Sequence, residues 1–290
     1  MGRFFHVLTS LICSFAIVGC TPVDESPAPG SSVGSSASVG SSVPSNSSSD
    51  IPASIPRLRV EVLNQLPFDP STFTQGLEVD EDGTLLVSHG MYRQSGIYRR
   101  TLDGQVQESQ RLADQYFGEG FTRVGSDVWM LTWKENTAFR LDAATLAVKE
   151  TVSYPGEGWG LCSFEGDGQA QSMYMSDGTA TLQERDPQTF ALRRTVAVTA
   201  GGSPVTKLNE LSCAPDGSLY ANIFLTDEIV RIDPATGEVT GLIDASGLRP
   251  EGASDPNAVL NGIAHIPETD HFYLSGKMWP TLYEVRFVPA

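Results

Sequence analysis

Five short strings carry the side chains that could do chemistry: Gln75-Gly76-Leu77, Glu119-Gly120-Phe121, Trp159-Gly160-Leu161, Asn209-Glu210-Leu211 and Asn261-Gly262-Ile263. Each opens on a polar or aromatic residue, continues with a small or short one and ends on a large apolar one. A second set, His89, Trp133, Asp177, Phe224 and Lys277, stands just after the strand that follows each string. If the two sets converge, one central carboxylate (Glu119) and one ammonium (Lys277) meet three amides (Gln75, Asn209, Asn261) and several rings. An apolar pocket with a few convergent polar groups is the usual form of a small-ligand site. A carboxyl buried among Phe117, Trp133 and Trp159 has its pKa raised by desolvation, so it can take up and return a proton near neutrality.

Other chemistries find less support. The four histidines (His6, His89, His265, His271) show no HxH or HxxxH spacing, which speaks against a catalytic zinc site. Asp177 and Asp227 follow second strands, where an aspartate more often anchors a turn than binds calcium. A structural calcium or zinc ion is compatible with the sequence, but no metal ligand set and no cofactor is expected for catalysis. No GxSxG or Walker string is present. With 19 Lys+Arg against 35 Asp+Glu the formal charge is −16, and no basic cluster offsets it. That field repels polyphosphate, so nucleic acid is excluded as a partner.

The elements that must position these residues are strands. From residue 57 on, β-branched and aromatic runs are broken by turns such as Glu81-Asp82-Gly83, Pro215-Asp216-Gly217 and Pro234-Ala235-Thr236-Gly237. No long apolar stripe of helical period occurs. The five strings recur at spacings of 44, 40, 50 and 52 residues. The second strands align with them: Leu86-Val87-Ser88, Met130-Leu131-Thr132, Tyr174-Met175-Ser176, Tyr220-Ala221-Asn222 and Tyr273-Leu274-Ser275. Such periods in an all-β chain predict a five-bladed β-propeller over 57–290, with a sandwich or a six-bladed ring as the fallback. If each string opens the innermost strand of its blade, the first residues form one ring around a central channel.

Ahead of this domain, Arg3 and an apolar run from Phe4 to Val18 read as a signal peptide over 1–19, too short to span a bilayer comfortably. Ile17-Val18-Gly19-Cys20 resembles the lipobox of bacterial lipoproteins, which implies a lipid on Cys20 and a membrane-anchored protein at the cell envelope. Residues 20–56 read as a flexible tether, since 31–49 hold eleven serines among Gly, Val, Ala and Pro. Aligning Leu161 with Leu211 sets Cys162 opposite Ser212. Cys162 and Cys213 then differ in strand parity and point to different faces. This argues against a disulfide, although an exported chain could form one by local distortion.

A family resemblance becomes specific at the site residues. Phe73-Thr74-Gln75-Gly76-Leu77, Phe117-Gly118-Glu119-Gly120, Leu131-Thr132-Trp133-Lys134 and Glu157-Gly158-Trp159-Gly160-Leu161 resemble the plant and bacterial glutaminyl-peptide cyclotransferases. So do Met175-Ser176-Asp177-Gly178-Thr179, Asn209-Glu210-Leu211, Ile229-Val230-Arg231-Ile232-Asp233-Pro234, Leu260-Asn261-Gly262-Ile263-Ala264 and Gly276-Lys277-Met278-Trp279-Pro280. These run in order over nearly all of the folded part. The resemblance implies a five-bladed propeller that cyclises N-terminal glutamine of peptides or proteins to pyroglutamate and releases ammonia, without a catalytic metal. It implies Glu119 as general acid/base, Gln75, Asn209 and Lys277 as polar substrate contacts, and Phe73, Phe117, Trp133 and Trp159 as an aromatic wall. One position departs: the family usually has Trp after Ala-Asn-Ile, whereas this chain has Phe224, without an indole N–H. A monomer is expected. The alternative reading is a non-catalytic propeller that captures peptide N-termini at the envelope, with Glu119 as counter-ion to the α-ammonium.

Overall fold

Turn chemistry repeats along the chain and sets where each strand ends. Asp142 Oδ1 accepts the N–H groups of Ala144 and Thr145 and the Thr145 hydroxyl, and Asp186 does the same for Gln188 and Thr189. Asp233 accepts from Ala235 N and Thr236 Oγ1. The residue after each threonine is left-handed: Leu146 (φ 57°), Phe190 (62°) and Gly237 (78°). Only Gly237 is a glycine, and it must be one, because a β-carbon there would lie 2.0 Å from the Ala197 carbonyl oxygen.

The computed structural model describes residues 51–164, 172–251 and 255–290. The signal peptide (1–19), Cys20 and the tether up to residue 50 lie outside the described residues. The described chain is all-β, with one short 3₁₀ helix at Ser246–Leu248. β1 (Arg57–Pro67) comes first. Three four-stranded antiparallel meanders include β2 (Thr74–Val79), β3 (Leu85–His89), β4 (Gly96–Arg100) and β5 (Val106–Arg111) as the first of them. The second is β6 (Gly118–Val124), β7 (Asp127–Thr132), β8 (Thr137–Asp142) and β9 (Val148–Ser153). The third is β10 (Leu161–Phe164), β11 (Ser172–Met175), β12 (Thr181–Arg185) and β13 (Leu192–Ala197).

A small hairpin, β14 (Thr199–Ala200) and β15 (Ser203–Pro204), leads to an eight-stranded sheet. One half of that sheet is β16 (Leu208–Cys213), β17 (Leu219–Ile223), β18 (Glu228–Ile232) and β19 (Val239–Asp244). The other half is β20 (Leu260–His265), β21 (His271–Gly276) and β22 (Thr281–Pro289), completed on its outer side by β1. β1 pairs antiparallel with β22 and parallel with β19, so the first strand of the chain locks the last two four-strand groups together. The inner strands touch in order, β2 to β6 to β10 to β16 to β20, and β20 returns to β2.

The core lies between successive sheets, and the period-2 alternation of the second strands divides it. Leu85 and Val87 pack toward Tyr273 and Leu282, while Leu86 packs toward Val128 and Met130. Trp129 and Leu131 pack forward onto Leu161, Met173 and Met175, and Tyr174 packs forward onto Leu208 and Leu211. Fully burying each such side chain contributes about 1.5–3 kcal/mol.

Two sequence expectations need correction here. Residues 51–56, read as the end of the tether, are packed: Ile51 and Ile55 are buried in the cluster around Leu208 and Val230, and Leu242 N donates to the Pro56 carbonyl. Cys162 and Cys213 are joined by a disulfide, with Cα atoms 5.5 Å apart. The parity argument fails because the two inner strands belong to sheets stacked face on face. The forward face of one sheet meets the backward face of the next, so residues that meet across the gap have opposite parity. Cys162 points forward from β10 while its neighbour Leu161 points back, and Cys213 shares the backward face of Leu211.

The bridge closes a loop with a sequence separation of 51, for which chain entropy predicts about 4 kcal/mol. Replacing both cysteines by serine should lower stability by about 2–4 kcal/mol and Tm by roughly 5–15 °C, with turnover per folded molecule unchanged. Calorimetry beside a turnover assay reads both, and an unshifted Tm would show that the bridge does not hold these sheets.

Candidate active site

Irregularities in the inner strands aim the first residue of each string. Pairing shifts between Thr74 and Gly76 in β2, Gly118 and Phe121 in β6, Leu208 and Leu211 in β16, and Leu260 and Ile263 in β20. A bulge drops a residue out of the ladder and redirects its side chain, and bulges concentrate at active sites. The displaced stretches hold Gln75, Glu119, Asn209 and Asn261. Trp159 precedes β10, fixed by its N–H to the Ser176 carbonyl at 3.0 Å, while Ser176 Oγ donates to the Asn209 carbonyl at 2.6 Å.

Three of these side chains form a relay. Asn261 Nδ2 donates to the Thr74 carbonyl at 2.9 Å and to Gln75 Oε1 at 3.2 Å. Gln75 is thereby turned so that its Nε2 donates to Glu119 Oε1 at 3.2 Å. Ser88 Oγ holds the Glu119 carbonyl at 2.7 Å. Burial pushes the Glu119 carboxyl well above the usual carboxylate range; the Lys277 charge opposes this, and Glu135 and Glu157 add to it. Lys277 is buried, with Nζ 4.8 Å from the Phe73 ring centroid and 5.3 Å from that of Phe224. Burial pulls its ammonium below the ordinary lysine value, and Glu119 pushes it back up.

The rings form two edge-to-face runs, Phe73–Phe117–Trp133 and Trp159–Phe224. Centroids are 6.3 Å apart for Phe73 and Phe117, 5.6 Å for Phe117 and Trp133, and 5.4 Å for Trp159 and Phe224. Two outer carboxylates fix them. Glu157 Oε2 accepts the indole N–H of Trp133 at 2.8 Å and that of Trp159 at 3.0 Å. Glu135 accepts the Tyr92 hydroxyl at 2.9 Å and the Phe117 N–H at 3.2 Å. Lys134 Nζ covers the outer face of Trp133 at 3.8 Å. The arrangement presents one buried carboxyl with a raised pKa, one cation and oriented amides beside aromatic rings. Among the described residues no three His, Cys, Asp or Glu side chains are grouped so that they could hold a metal ion.

The glutamine cyclotransferase family model matches residues 35–287. The chain belongs to that family. The glutaminyl-peptide cyclotransferase of Arabidopsis thaliana is 36% identical over 237 residues, covering 80% of this chain and 72% of the plant protein. The crystal structure of Myxococcus xanthus glutaminyl cyclase superposes with a TM-score of 0.75 at 36% identity, covering 81% of this chain and 99% of that one. The chain is thus a transferase of the cyclotransferase type.

Within this cyclotransferase, Phe73, Gln75, Phe117, Glu119, Trp133, Trp159, Phe224, Asn261 and Lys277 are linked through the relay, the ring contacts and the outer carboxylates. Asn209 stands on the displaced stretch of β16, buried. Two residues of the second set turn away. His89 packs on Tyr98 of β4, and the Asp177 carboxylate caps its own turn through Thr179 and Gln183 Nε2. Asp227 is paired with Arg249. Sequence reading missed Glu135, Glu157, Tyr92 and Glu210. Glu135 and Glu157 each lie two residues from a wall tryptophan, the one signal that could have found them.

Replacing Lys277 by Met removes the charge that opposes the raised pKa of Glu119, so that pKa should rise further. A ¹³C NMR titration of the Glu119 carboxyl reads the shift directly. An unchanged or lower value would show that Lys277 does not act on it.

Proposed function

We propose that this cyclotransferase converts N-terminal glutamine of peptides or proteins to pyroglutamate, with Glu119 as the general acid/base. The observation that carries this reading is a buried Glu119 carboxyl oriented by the Gln75–Asn261 relay and walled by Phe117, Trp133 and Trp159. An N-terminal glutamine holds nucleophile and electrophile in one residue, so the site mainly has to fold the side chain back on the amine. The aromatic wall and the amides of Asn209 and Gln75 supply that positioning.

Proton transfer then follows a closed path. Glu119 takes a proton from the α-ammonium, and the freed amine attacks the carbonyl carbon of the γ-carboxamide, forming the ring C–N bond while the C=O π bond opens to a tetrahedral oxyanion. Lys277 stabilises that charge in a desolvated setting where electrostatics are strong. Glu119 returns its proton to the amide nitrogen, the exocyclic C–N bond breaks, and ammonia leaves. The second proton of the ring nitrogen passes to the released ammonia, which becomes ammonium, so the charge of the α-ammonium leaves with it and the lactam is neutral. A carboxyl with its pKa raised toward neutrality suits both halves of this exchange. Catalysis in this scheme needs no metal.

The same proposal covers the rest of the chain. The meanders and the two halves of the eight-stranded sheet are read as the blades of a five-bladed propeller, a reading supported by the cyclic contacts of the inner strands. A lipid on Cys20, a periplasmic or extracytoplasmic location and a monomeric state rest on the sequence alone. Cys20→Ala should release the protein from membranes or block its maturation while the folded head keeps its activity; an unchanged membrane fraction would remove the anchor.

Glu119→Gln keeps size and shape but cannot exchange the proton. General acid–base catalysis is worth roughly 10²–10⁴ in rate, so kcat should fall by at least about two orders of magnitude. Tm measured alongside tests that the fold survives, and EDTA should leave the parent's turnover intact. A folded variant within about threefold of the parent rate would exclude Glu119 as acid/base. Complete, metal-reversible loss with EDTA would overturn the metal-free scheme.

A further inference from the structure

Glu210 is a second buried carboxyl that the scheme above leaves without a task. It occupies the position that is glycine in the other four strings (Gly76, Gly120, Gly160, Gly262). It is only 2% exposed. Its two oxygens reach two other inner strands: Leu77 N donates to Oε1 at 3.3 Å, and Ile263 N donates to Oε2 at 2.8 Å. Each of these amides lies two residues beyond a relay member. Leu77 follows Gln75 on β2, and Ile263 follows Asn261 on β20. Asn222 Oδ1 accepts the intervening Gly262 N–H at 3.2 Å, so the displaced stretch of β20 is held by side chains of β16 and β17 together.

We propose that Glu210 is a positioning residue for Glu119, a carboxyl at the axis that fixes the spacing of β2 and β20 and through it the Asn261–Gln75–Glu119 hydrogen bonds. The inference rests on the cyclotransferase reading with Glu119 as acid/base. Glu210 acts through geometry. The carboxylate that bears on it is Glu78, whereas the charges bearing on Glu119 are Lys277, Glu135 and Glu157. Gln75 donates to the ionised form of Glu119 and favours it, so losing that bond raises the pKa of Glu119. Glu210 therefore sets how far the acid limb of the rate profile extends downward.

The test is a pair of substitutions in the full chain, assayed on a Gln-initiated peptide across pH. In Glu210→Gln one acceptor oxygen becomes an NH₂ group that faces a backbone N–H. Expected are a kcat lower by roughly ten- to a hundredfold, in line with the cost of a small misplacement, a KM within about threefold, and an acid limb moved to higher pH. Gln75→Leu should move the limb the same way, and the double variant should match Gln75→Leu alone, because both changes break one bond. A limb that Gln75→Leu moves and Glu210→Gln does not, or shifts that add in the double variant, would reduce Glu210 to a structural group. If Glu210→Gln does not fold, Glu210→Asp, which keeps the carboxyl but shortens the reach, is read in the same way. A parent enzyme that fails to turn over the peptide would instead defeat the underlying functional reading.

Discussion

At two of the five strings neighbouring inner strands come so close that there is no room between their backbones for a β-carbon. One added at Gly160 would lie 2.2 Å from the Asn209 carbonyl oxygen, and one at Gly120 would lie 2.6 Å from that of Trp159. The Gly120 N–H uses this proximity, donating to the Trp159 carbonyl at 2.7 Å from one sheet to the next. Glycine here is imposed by backbone meeting backbone. In β6 this stretch also leaves its ladder, with the pairing shifted between Gly118 and Phe121, and Glu119 lies within the displaced residues. Glu119 thus stands beside a glycine at which the backbone of one sheet meets that of the next.

Burial then supplies the chemistry. A carboxyl and an ammonium enclosed together each favour the other's charged form, while desolvation opposes both. Glu119 and Lys277 are in this balance, and neither is neutralised by a close ion-pair contact of the kind that joins Asp80 to Arg99. Lys277 instead rests on two ring faces, a contact worth about 2 kcal/mol when desolvated. The rings in turn are held from outside by Glu135 and Glu157. These carboxylates act twice: they fix the wall by accepting N–H and O–H groups, and their charge further favours a protonated Glu119.

The repeat was legible because the start of each inner strand leaves a mark in composition: a polar or aromatic residue, then in four of the five strings a glycine, then a large apolar residue. Gln75, Glu119, Trp159 and Asn261 could be found from that mark. What lay beyond it depends on contacts between sheets, which a linear alignment does not represent. Cys162 and Cys213 look mismatched when two strands are compared as if they lay in one sheet, and match when the sheets are stacked. Glu210 was hidden for a related reason. Its string broke the glycine rule, and the use of its side chain is visible only once Leu77 and Ile263, far away in sequence, are brought to the same axis. Residues 51–56 look like linker by composition, yet Ile51 and Ile55 are buried and pin the segment to the core.

Phe224 shows what the wall requires at that position. Tryptophan would offer a ring and a donor, and this chain keeps the ring alone. The two indole N–H groups present, of Trp133 and Trp159, both go to the single oxygen Oε2 of Glu157. Phe224 meets Trp159 edge to face and presents its face to Lys277, and its own N–H is satisfied by the Lys207 carbonyl at 2.8 Å. Both contacts depend on a ring's quadrupole, which phenylalanine has. The donor lost with the indole is therefore not one on which the fixed geometry of the wall depends. Fixing the wall falls to Glu157 and Glu135, and Glu157 does so through Trp159, the ring that Phe224 meets.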